Sequence, residues 1–167
     1  MKGVIIYKSR YGSTKQYAEW LQEETGFDLF DVKHSPSDLS AYDVVVIGSS
    51  ILASRAVLGG WIRKHWASLQ GKAVYLLLVN VTADQEILAK VVPQSVPAEI
   101  AAQIRVFPVG GRYLLEKMAF LDRTMIKMVS NIEKRPEVKA ELLADRDWVK
   151  KDNLQEILAA IRGVQAG

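Results

Sequence analysis

The chain has 167 residues, of which 49% are hydrophobic and 25% are charged, as is typical of a globular protein, and we expect a single domain over residues 1–167. The absence of cysteine excludes disulfides, thiolate metal sites and a cysteine nucleophile. The net charge of +3 comes without a dense Lys/Arg block, so we expect no nucleic acid partner. We also expect no metal site. Without a membrane-spanning apolar run or a secretory leader, the predicted location is the cytoplasm or the inner face of its membrane.

Strand-like and helix-like segments alternate along the chain, which is the pattern of an α/β fold. The predicted strands cover residues 4–7, 27–32, 42–48, 73–81 and 104–110. The predicted helices cover residues 14–21, 57–69, 84–92 and 148–161, with Asp147 as the cap of the last and breaks at Pro93 and Pro97. Pro108 places the fifth strand at a sheet edge. Five parallel strands with helices on both faces fit either of the common doubly wound strand orders.

The first loop joins a buried strand to a helix and contains three hydroxyls around one glycine. It comprises Ser9, Arg10, Tyr11, Gly12, Ser13 and Thr14. A helix that follows a strand directly points its unpaired N–H groups and positive dipole end at the turn, where an anion such as a phosphate is favoured. The glycine patterns of nucleoside triphosphate and dinucleotide loops are absent. The simpler alternative is a polar turn in which Thr14 only caps the helix.

Three further loops follow the later strands, and parallel topology should bring them to the same crevice. Residues 49–55 and 80–83 contain no aromatic side chain, although Trp61 or Tyr113 could still cover a ligand. Arg55 could stabilise negative charge there or be a solvated loop cation. The candidate binding residues are Ser49, Ser50, Ile51, Leu52, Asn80, Val81, Thr82, Gly111, Arg112 and Tyr113.

An additional segment lies between the fifth strand and the last helix. Leu114, Met118, Leu121, Met125, Met128 and Ile132 recur at helical spacing. Residues 112–139 hold seven basic and four acidic side chains, a balance of +3. One interpretation is a helix that meets an anionic membrane surface or covers an apolar substrate. The other, which we favour from the sequence, is that the apolar stripe packs on the sheet.

The first loop and its flanking elements resemble the flavodoxin signature, through Ile5-Ile6-Tyr7, Ser9, Gly12, Thr14, Ala18 and Leu21. The resemblance implies a flavodoxin-like three-layer sandwich with a five-stranded parallel sheet of order 2-1-3-4-5 and a helical insertion after strand 5. It also implies that residues 9–14 hold the phosphate of flavin mononucleotide (FMN). Tyr11 departs from the pattern, because many flavodoxins have a threonine at that position.

Several later motifs resemble the menaquinone-dependent protoporphyrinogen IX dehydrogenase branch of this superfamily. They are Gly111-Arg112-Tyr113, the stretch Asp122 to Lys127, and Asp147-Trp148. That resemblance implies FMN, oxidation of a tetrapyrrole precursor and a membrane quinone as acceptor. Arg55, Arg112 and Arg123 are candidate substrate residues, and Lys127 is a further candidate for the propionates. Neither His34 nor His65 is assigned a catalytic role, and the catalytic residues are left unassigned.

Three alternatives remain at this point. A flavodoxin-type electron carrier shares the fold and the cofactor but acts through protein partners, and it is typically acidic, whereas this chain is basic. A phosphorelay receiver needs clustered carboxylates and an acceptor Asp after the third strand, where this chain has Gly48-Ser49-Ser50. A cofactor-free interaction module is the third. The sequence leaves the oligomeric state open, including a homo-oligomer.

Overall fold

A computed structural model describes residues 1–81 and 85–165, except for the side chains of Ile87, Glu137, Val138 and Glu141. The strands are β1 Gly3–Tyr7, β2 Asp28–Asp31, β3 Val44–Leu52, β4 Arg55–Ala56, β5 Ala73–Asn80, β6 Ile104–Gly110, β7 Arg112–Tyr113 and β8 Arg146–Asp147. Five of them form a parallel sheet in the order β2-β1-β3-β5-β6. With the short β4 left out of the numbering, this is the predicted order 2-1-3-4-5. The predicted fold class is confirmed, and β6 lies at an edge as Pro108 indicated.

The helices are α1 Ser13–Thr25, α2 Gly59–Leu69, α3 Gln85–Ser95, α4 Ala98–Ala101, α5 Phe120–Ile132, α6 Pro136–Leu143 and α7 Gln155–Gln165. Side chains of α2, α3 and α4 pack in one hydrophobic core on one face of the sheet. Side chains of α1 and α7 pack in a second core on the opposite face. The result is a three-layer sandwich, and the described side chains of α5 and α6 belong to neither core.

Both faces of the central strands are buried, which explains their continuous apolar sequence. In β1, Ile6 belongs to the core beneath α2, whereas its neighbour Ile5 belongs to the core beneath α1. Val45 and Val46 of β3 divide in the same way. A strand that alternates its side chains between two apolar layers is apolar along most of its length. The first polar residues of β3 and β5 are Ser49 and Asn80, near the carboxyl ends of the paired region.

The strand register aligns these carboxyl ends. Tyr7 of β1 pairs with Gly48 of β3, Ser50 of β3 pairs with Val79 of β5, and Asn80 of β5 pairs with Gly110 of β6. The loops that follow β1, β3, β5 and β6 consequently begin at one edge of the sheet, as the sequence predicted.

The segment after Gly48 is a hairpin rather than the predicted loop. β3 continues to Leu52 and pairs antiparallel with β4, so that Leu52 lies opposite Arg55. Ala53 and Ser54 form the two-residue turn, with φ values of 49° and 61°. Positive φ at both central positions is the requirement of a type I′ turn, which usually selects Asn and Gly. Because neither residue is of that type, no turn could be predicted here from the residue types.

Several helix boundaries differ from their predictions: α1 continues past residue 21 to Thr25, and α2 begins at Gly59 rather than at residue 57. Pro93 lies inside α3 instead of ending it, because Val91 and Val92 anchor the last turns of the helix in the core. The last helix begins at Gln155, after a 3-10 turn over Lys151–Leu154. Asp147 is therefore not its cap, and lies instead in β8. Across the described ranges, no helix is long and apolar enough to cross a membrane.

Residues 114–145 form an insertion closed at its base by β7 and β8, which pair antiparallel. The insertion contains a 3-10 turn over Leu115–Lys117, then α5 and α6. The preference for a stripe packed on the sheet was wrong. Leu121, Met125, Met128 and Ile132 of α5 are all exposed to solvent, and the buried residue of this helix is Ser130.

Candidate functional site

The loop after β1 leaves the first turn of α1 without a side-chain cap. Gly12 is the N-cap residue, with φ 90°, and within the described ranges the helix has no side-chain cap. Thr14 lies inside that turn, so the interpretation of Thr14 as a simple cap is wrong. Uncapped N–H groups at a helix N-terminus attract an anion through both the donors and the helix dipole. A Cβ added at Gly12 would meet nothing within 4 Å, so the loop is open on that side.

The three hydroxyls of the loop have different surroundings. The Ser9 Oγ accepts the Gly12 N–H at 3.1 Å, which fixes the turn. The Ser13 Oγ accepts the Arg112 N–H at 3.1 Å and keeps its own proton to donate. Thr14 is buried beside Gly48, where an added Cβ would lie 3.1 Å from the Thr14 methyl group. The hydroxyls of the loop and the uncapped N–H groups at the start of α1 are hydrogen-bond donors that fit a phosphate monoester, and the open backbone at Gly12 allows it to approach closely.

The hairpin after β3 is oriented by a buried serine. The Ser49 Oγ accepts the Leu58 N–H at 3.1 Å and donates to the Ser50 carbonyl at 3.1 Å. Ser50 and Ile51 are half-buried, whereas Leu52 and Arg55 are exposed. Ser49 thus shapes the loop, while Ile51 and Leu52 supply an aliphatic surface next to it. Arg55 carries its charge at the exposed side of the hairpin.

The loops after β5 and β6 are held together by backbone contacts. The Gly111 N–H donates to the Asn80 carbonyl at 2.5 Å, and the buried Asn80 side-chain amide donates to the Val109 carbonyl at 3.1 Å. A Cβ at Gly111 would lie 2.9 Å from the Asn80 oxygen, so only glycine fits. Arg146 donates to the Val81 carbonyl at 3.0 Å, which ties the insertion to this edge. Thr82, another candidate, lies outside the described residues.

Arg112 and Tyr113, two of the predicted binding residues, are engaged at the base of the insertion. The Arg112 Nε donates to the Asp147 carboxylate at 2.8 Å, and the Tyr113 hydroxyl donates to the Leu142 carbonyl at 2.7 Å. Burial raises the pKa of Tyr113. Trp61 is also engaged, stacking on His65 with 4.4 Å between ring centroids. Its indole packs against the core of the α2 layer. The candidate substrate arginines lie on three separate elements: Arg55 on β4, Arg112 on β7 and Arg123 on α5.

Asp122 of α5 reaches the first loop, a contact that the sequence did not predict. Its carboxylate accepts from the Arg10 Nη2 at 2.8 Å and also accepts the Tyr11 hydroxyl. Burial, followed by the hydrogen bond to Asp122, raises the pKa of Tyr11. No local pattern relates residues 112 positions apart, so only the three-dimensional fold reveals this pairing. The first loop therefore contacts the insertion through Arg10 and Tyr11, and it contacts β7 at the base of the insertion through Ser13.

Tyr17 of α1 is a second residue whose role the sequence did not indicate. The side chain is fully buried. Its hydroxyl donates to the Gly110 carbonyl at 2.6 Å, and accepts from the Asn153 amide at 2.6 Å and from the Lys150 N–H at 3.3 Å. Burial raises the pKa of this phenol. Tyr17 thus fixes the end of β6 relative to the segment before α7.

Comparison with known proteins identifies the architecture around this edge. The profile of the flavodoxin domain matches residues 4–139, which is more than half of the chain. The chain belongs to the flavodoxin domain family. Family membership agrees with the strand order and supports FMN as the cofactor. Comparison with curated protein sequences gives no significant match.

Solved structures similar to this flavodoxin-domain protein include three flavoproteins. A candidate flavoprotein from Bacteroides eggerthii is 19% identical over 78% of this chain and 96% of its own, with a TM-score of 0.48. A flavoprotein in complex with FMN from Lactobacillus acidophilus is 17% identical over 65% and 91%, with a TM-score of 0.48. A flavo di-iron protein from Thermotoga maritima is 13% identical over 97% and 35%, with a TM-score of 0.47. At these identities and scores, the family assignment rests on the domain profile alone.

Proposed function

We propose that this protein is an FMN-dependent oxidoreductase that oxidises an apolar organic substrate. The observation that carries the proposal is the uncapped N-terminus of α1, which opens at the carboxyl edge of a flavodoxin-type sheet next to Ser9, Ser13 and Thr14. In this arrangement the loop and the first turn of α1 would hold the phosphate. FMN, when bound, supplies the electron-transfer chemistry, and the protein positions it.

The surroundings of the flavin ring favour an enzyme over an electron carrier. Residues 49–56 and 80–81 carry no aromatic side chain, and the Tyr113 hydroxyl is directed to the Leu142 carbonyl. Aliphatic groups such as Ile51 and Leu52 would then line the ring, without the stacking that aromatic residues provide. A ring lined in this way has a face that an organic substrate can approach.

For the substrate we propose protoporphyrinogen IX or a similar apolar tetrapyrrole, with a quinone as the electron acceptor. The motifs around Arg112, Asp122 and Asp147 support this choice through their resemblance to the protoporphyrinogen dehydrogenase branch. Arg55 and Arg123 are the candidate partners of the substrate's propionates. Arg112 is a weaker candidate than the sequence indicated, because its guanidinium is paired with Asp147.

A quinone acceptor dissolved in the bilayer requires the protein to reach a membrane, and we propose that α5 makes this contact. Leu121 and Ile132 are 77% and 75% exposed, and Met125 and Met128 lie on the same apolar face. The polar side, with Ser130 buried and Asp122 and Arg123 half-buried, faces the protein. A helix oriented in this way presents its apolar face outwards, as an interfacial helix does. The excess of basic residues in 112–139 suits an anionic lipid surface.

The test begins with the visible spectrum of the purified protein and a titration with FMN. Flavin bands and saturable FMN binding are expected, and their absence would identify a cofactor-free module. The loaded protein is then given protoporphyrinogen IX and a soluble menaquinone analogue without any other protein. Oxidation of the porphyrinogen that depends on the quinone supports the enzyme. Bound FMN without such turnover would identify an electron carrier.

A further inference from the structure

Asp122 is the point at which the insertion contacts the proposed phosphate loop. Both of its neighbours there, Arg10 and Tyr11, lie in the loop immediately before Gly12, the N-cap residue of α1. The carboxylate is only 13% exposed, whereas the Arg10 side chain is 56% exposed. A carboxylate that is largely removed from water loses more stability when its partners are removed than an exposed carboxylate does. Arg10, being the more exposed partner, is free to change its contacts.

The Arg10 guanidinium in this loop would be attracted by two anions, the Asp122 carboxylate and a bound phosphate. Asp122 holds the guanidinium in the present structure, with Nη2 to Oδ2 at 2.7 Å. A phosphate at the N-terminus of α1 would place up to two negative charges a few residues along the same loop. It would attract Arg10 and repel the Asp122 carboxylate, and both effects oppose the contact between the loop and α5.

We propose that Asp122 links occupancy of the phosphate site to docking of the insertion. Phosphate binding weakens the contact of Asp122 with Arg10 and Tyr11 and so loosens the N-terminal turn of α5. Linkage is reciprocal, so the docked insertion must weaken phosphate binding by the same factor. This inference rests on the proposed FMN function, because it concerns the phosphate of that cofactor. Asp122 is a positioning residue here, since it acts through Arg10 and Tyr11.

Through this linkage, phosphate binding would control the orientation of the exposed apolar face of α5. While this contact holds, Asp122 ties the start of α5 to the loop and fixes the orientation of the helix. With the phosphate bound, the helix is free to reorient about its attachment at β7 and β8. The apolar face is exposed while the contact holds, so cofactor binding would change its orientation relative to the sandwich and not its exposure.

The first arm of the experiment compares FMN with riboflavin, which lacks the phosphate, by quenching of flavin fluorescence. Asp122→Asn should tighten FMN binding about threefold to tenfold, the effect of removing one partly screened charge, and leave riboflavin binding unchanged. The control Glu116→Gln removes an exposed acid of the same insertion and should change neither. With Arg10→Gln as background, adding Asp122→Asn should have a much smaller effect. Equal effects on FMN and riboflavin, or none on FMN, would overturn the proposal.

The second arm uses inorganic phosphate and does not depend on flavin binding. Trypsin cleavage after Lys117, Arg123 or Lys127 reports the docking of the insertion. Phosphate should accelerate this cleavage in the wild type and have no effect in Asp122→Asn, which should already be cleaved faster. If phosphate does not change the rate of cleavage in the wild type, the linkage is contradicted. If phosphate accelerates cleavage but the protein binds no flavin, the proposed cofactor is refuted and the linkage between the phosphate site and the insertion is supported.

Discussion

The Arg112 guanidinium and the Asp147 carboxylate join β7 to β8 at the base of the insertion, with 2.8 Å between Nε and Oδ2. The same strands are aligned by backbone pairing of Arg112 with Asp147 and of Tyr113 with Arg146. Asp147→Asn should therefore raise amide hydrogen exchange in residues 114–145. Global stability should fall by less than about 1 kcal/mol, because the pair is partly exposed. Glu23→Gln, which removes an acid paired with Lys151 outside the insertion, should leave that exchange unchanged.

The pair of Arg112 and Asp147 should also make the attachment of the insertion sensitive to low pH. The hydrogen bond from Arg112 lowers the pKa of Asp147 below its ordinary value. A carboxyl group with a lowered folded-state pKa contributes stability that is fully present above its unfolded pKa, about 3.9, and is lost as the pH falls through the folded pKa. The protection of residues 114–145 against exchange, relative to the intrinsic rate at each pH, should therefore fall below about pH 4 in the wild type. In Asp147→Asn this acid response should be smaller, and an undiminished response would assign it to other groups.

Gly12 and Gly26 provide a matched pair for testing the phosphate site, because they flank the two ends of α1. Both have positive φ, and a Cβ at either meets nothing within 4 Å. Alanine at each position should therefore destabilise the fold by a similar amount, about 1 kcal/mol. FMN affinity should fall for Gly12→Ala and further for Gly12→Asp, which adds a negative charge, but not for Gly26→Ala. Unchanged FMN affinity in Gly12→Asp would show that the phosphate binds elsewhere.

The apolar face of α5 can be tested with two substitutions that add the same charge. Met128 lies in the exposed apolar stripe, and Asn131 is an exposed polar residue of the same helix. Met128→Glu should weaken sedimentation with vesicles of equimolar phosphatidylglycerol and phosphatidylcholine about tenfold or more. Asn131→Glu should have a much smaller effect. Thermal unfolding should be nearly unchanged in both. Absence of vesicle binding by the wild type would refute the membrane contact.

Tyr17→Phe should be destabilising although it removes a single oxygen atom. The hydroxyl satisfies the Gly110 carbonyl, the Lys150 N–H and the Asn153 amide. Leaving buried polar groups without a partner costs about 1–3 kcal/mol. Urea denaturation of Tyr17→Phe should show that loss, whereas Tyr42→Phe, whose hydroxyl donates to the partly exposed Asp28 carboxylate, should lose less. Equal losses would mean that the groups around Tyr17 find other partners.

The sequence was sufficient for the features that depend on local periodicity. Uninterrupted apolar runs predicted β1, β3 and β5 because both faces of those strands are buried, and Gly12 with its neighbouring hydroxyls predicted the loop before α1. The sequence failed where distant contacts decide the outcome. The position of Asp147 in β8 and the contact of Asp122 with Arg10 depend on pairings across the fold. Helical spacing also predicted the α5 stripe correctly but could not say which way it faces, since burial depends on neighbours.

The closed base of the insertion also has a consequence for protein engineering. Because Tyr113 and Arg146 are paired neighbours, the chain leaves and re-enters the sandwich at nearly one point. It should therefore be possible to replace residues 114–145 with a short reverse turn, or with the equivalent segment of a relative, without changing the strand order or connections of the sheet. Such chimaeras would separate what the flavodoxin sandwich does alone from what the added segment contributes. They would also show whether this attachment point allows members of the family to acquire new segments as single units.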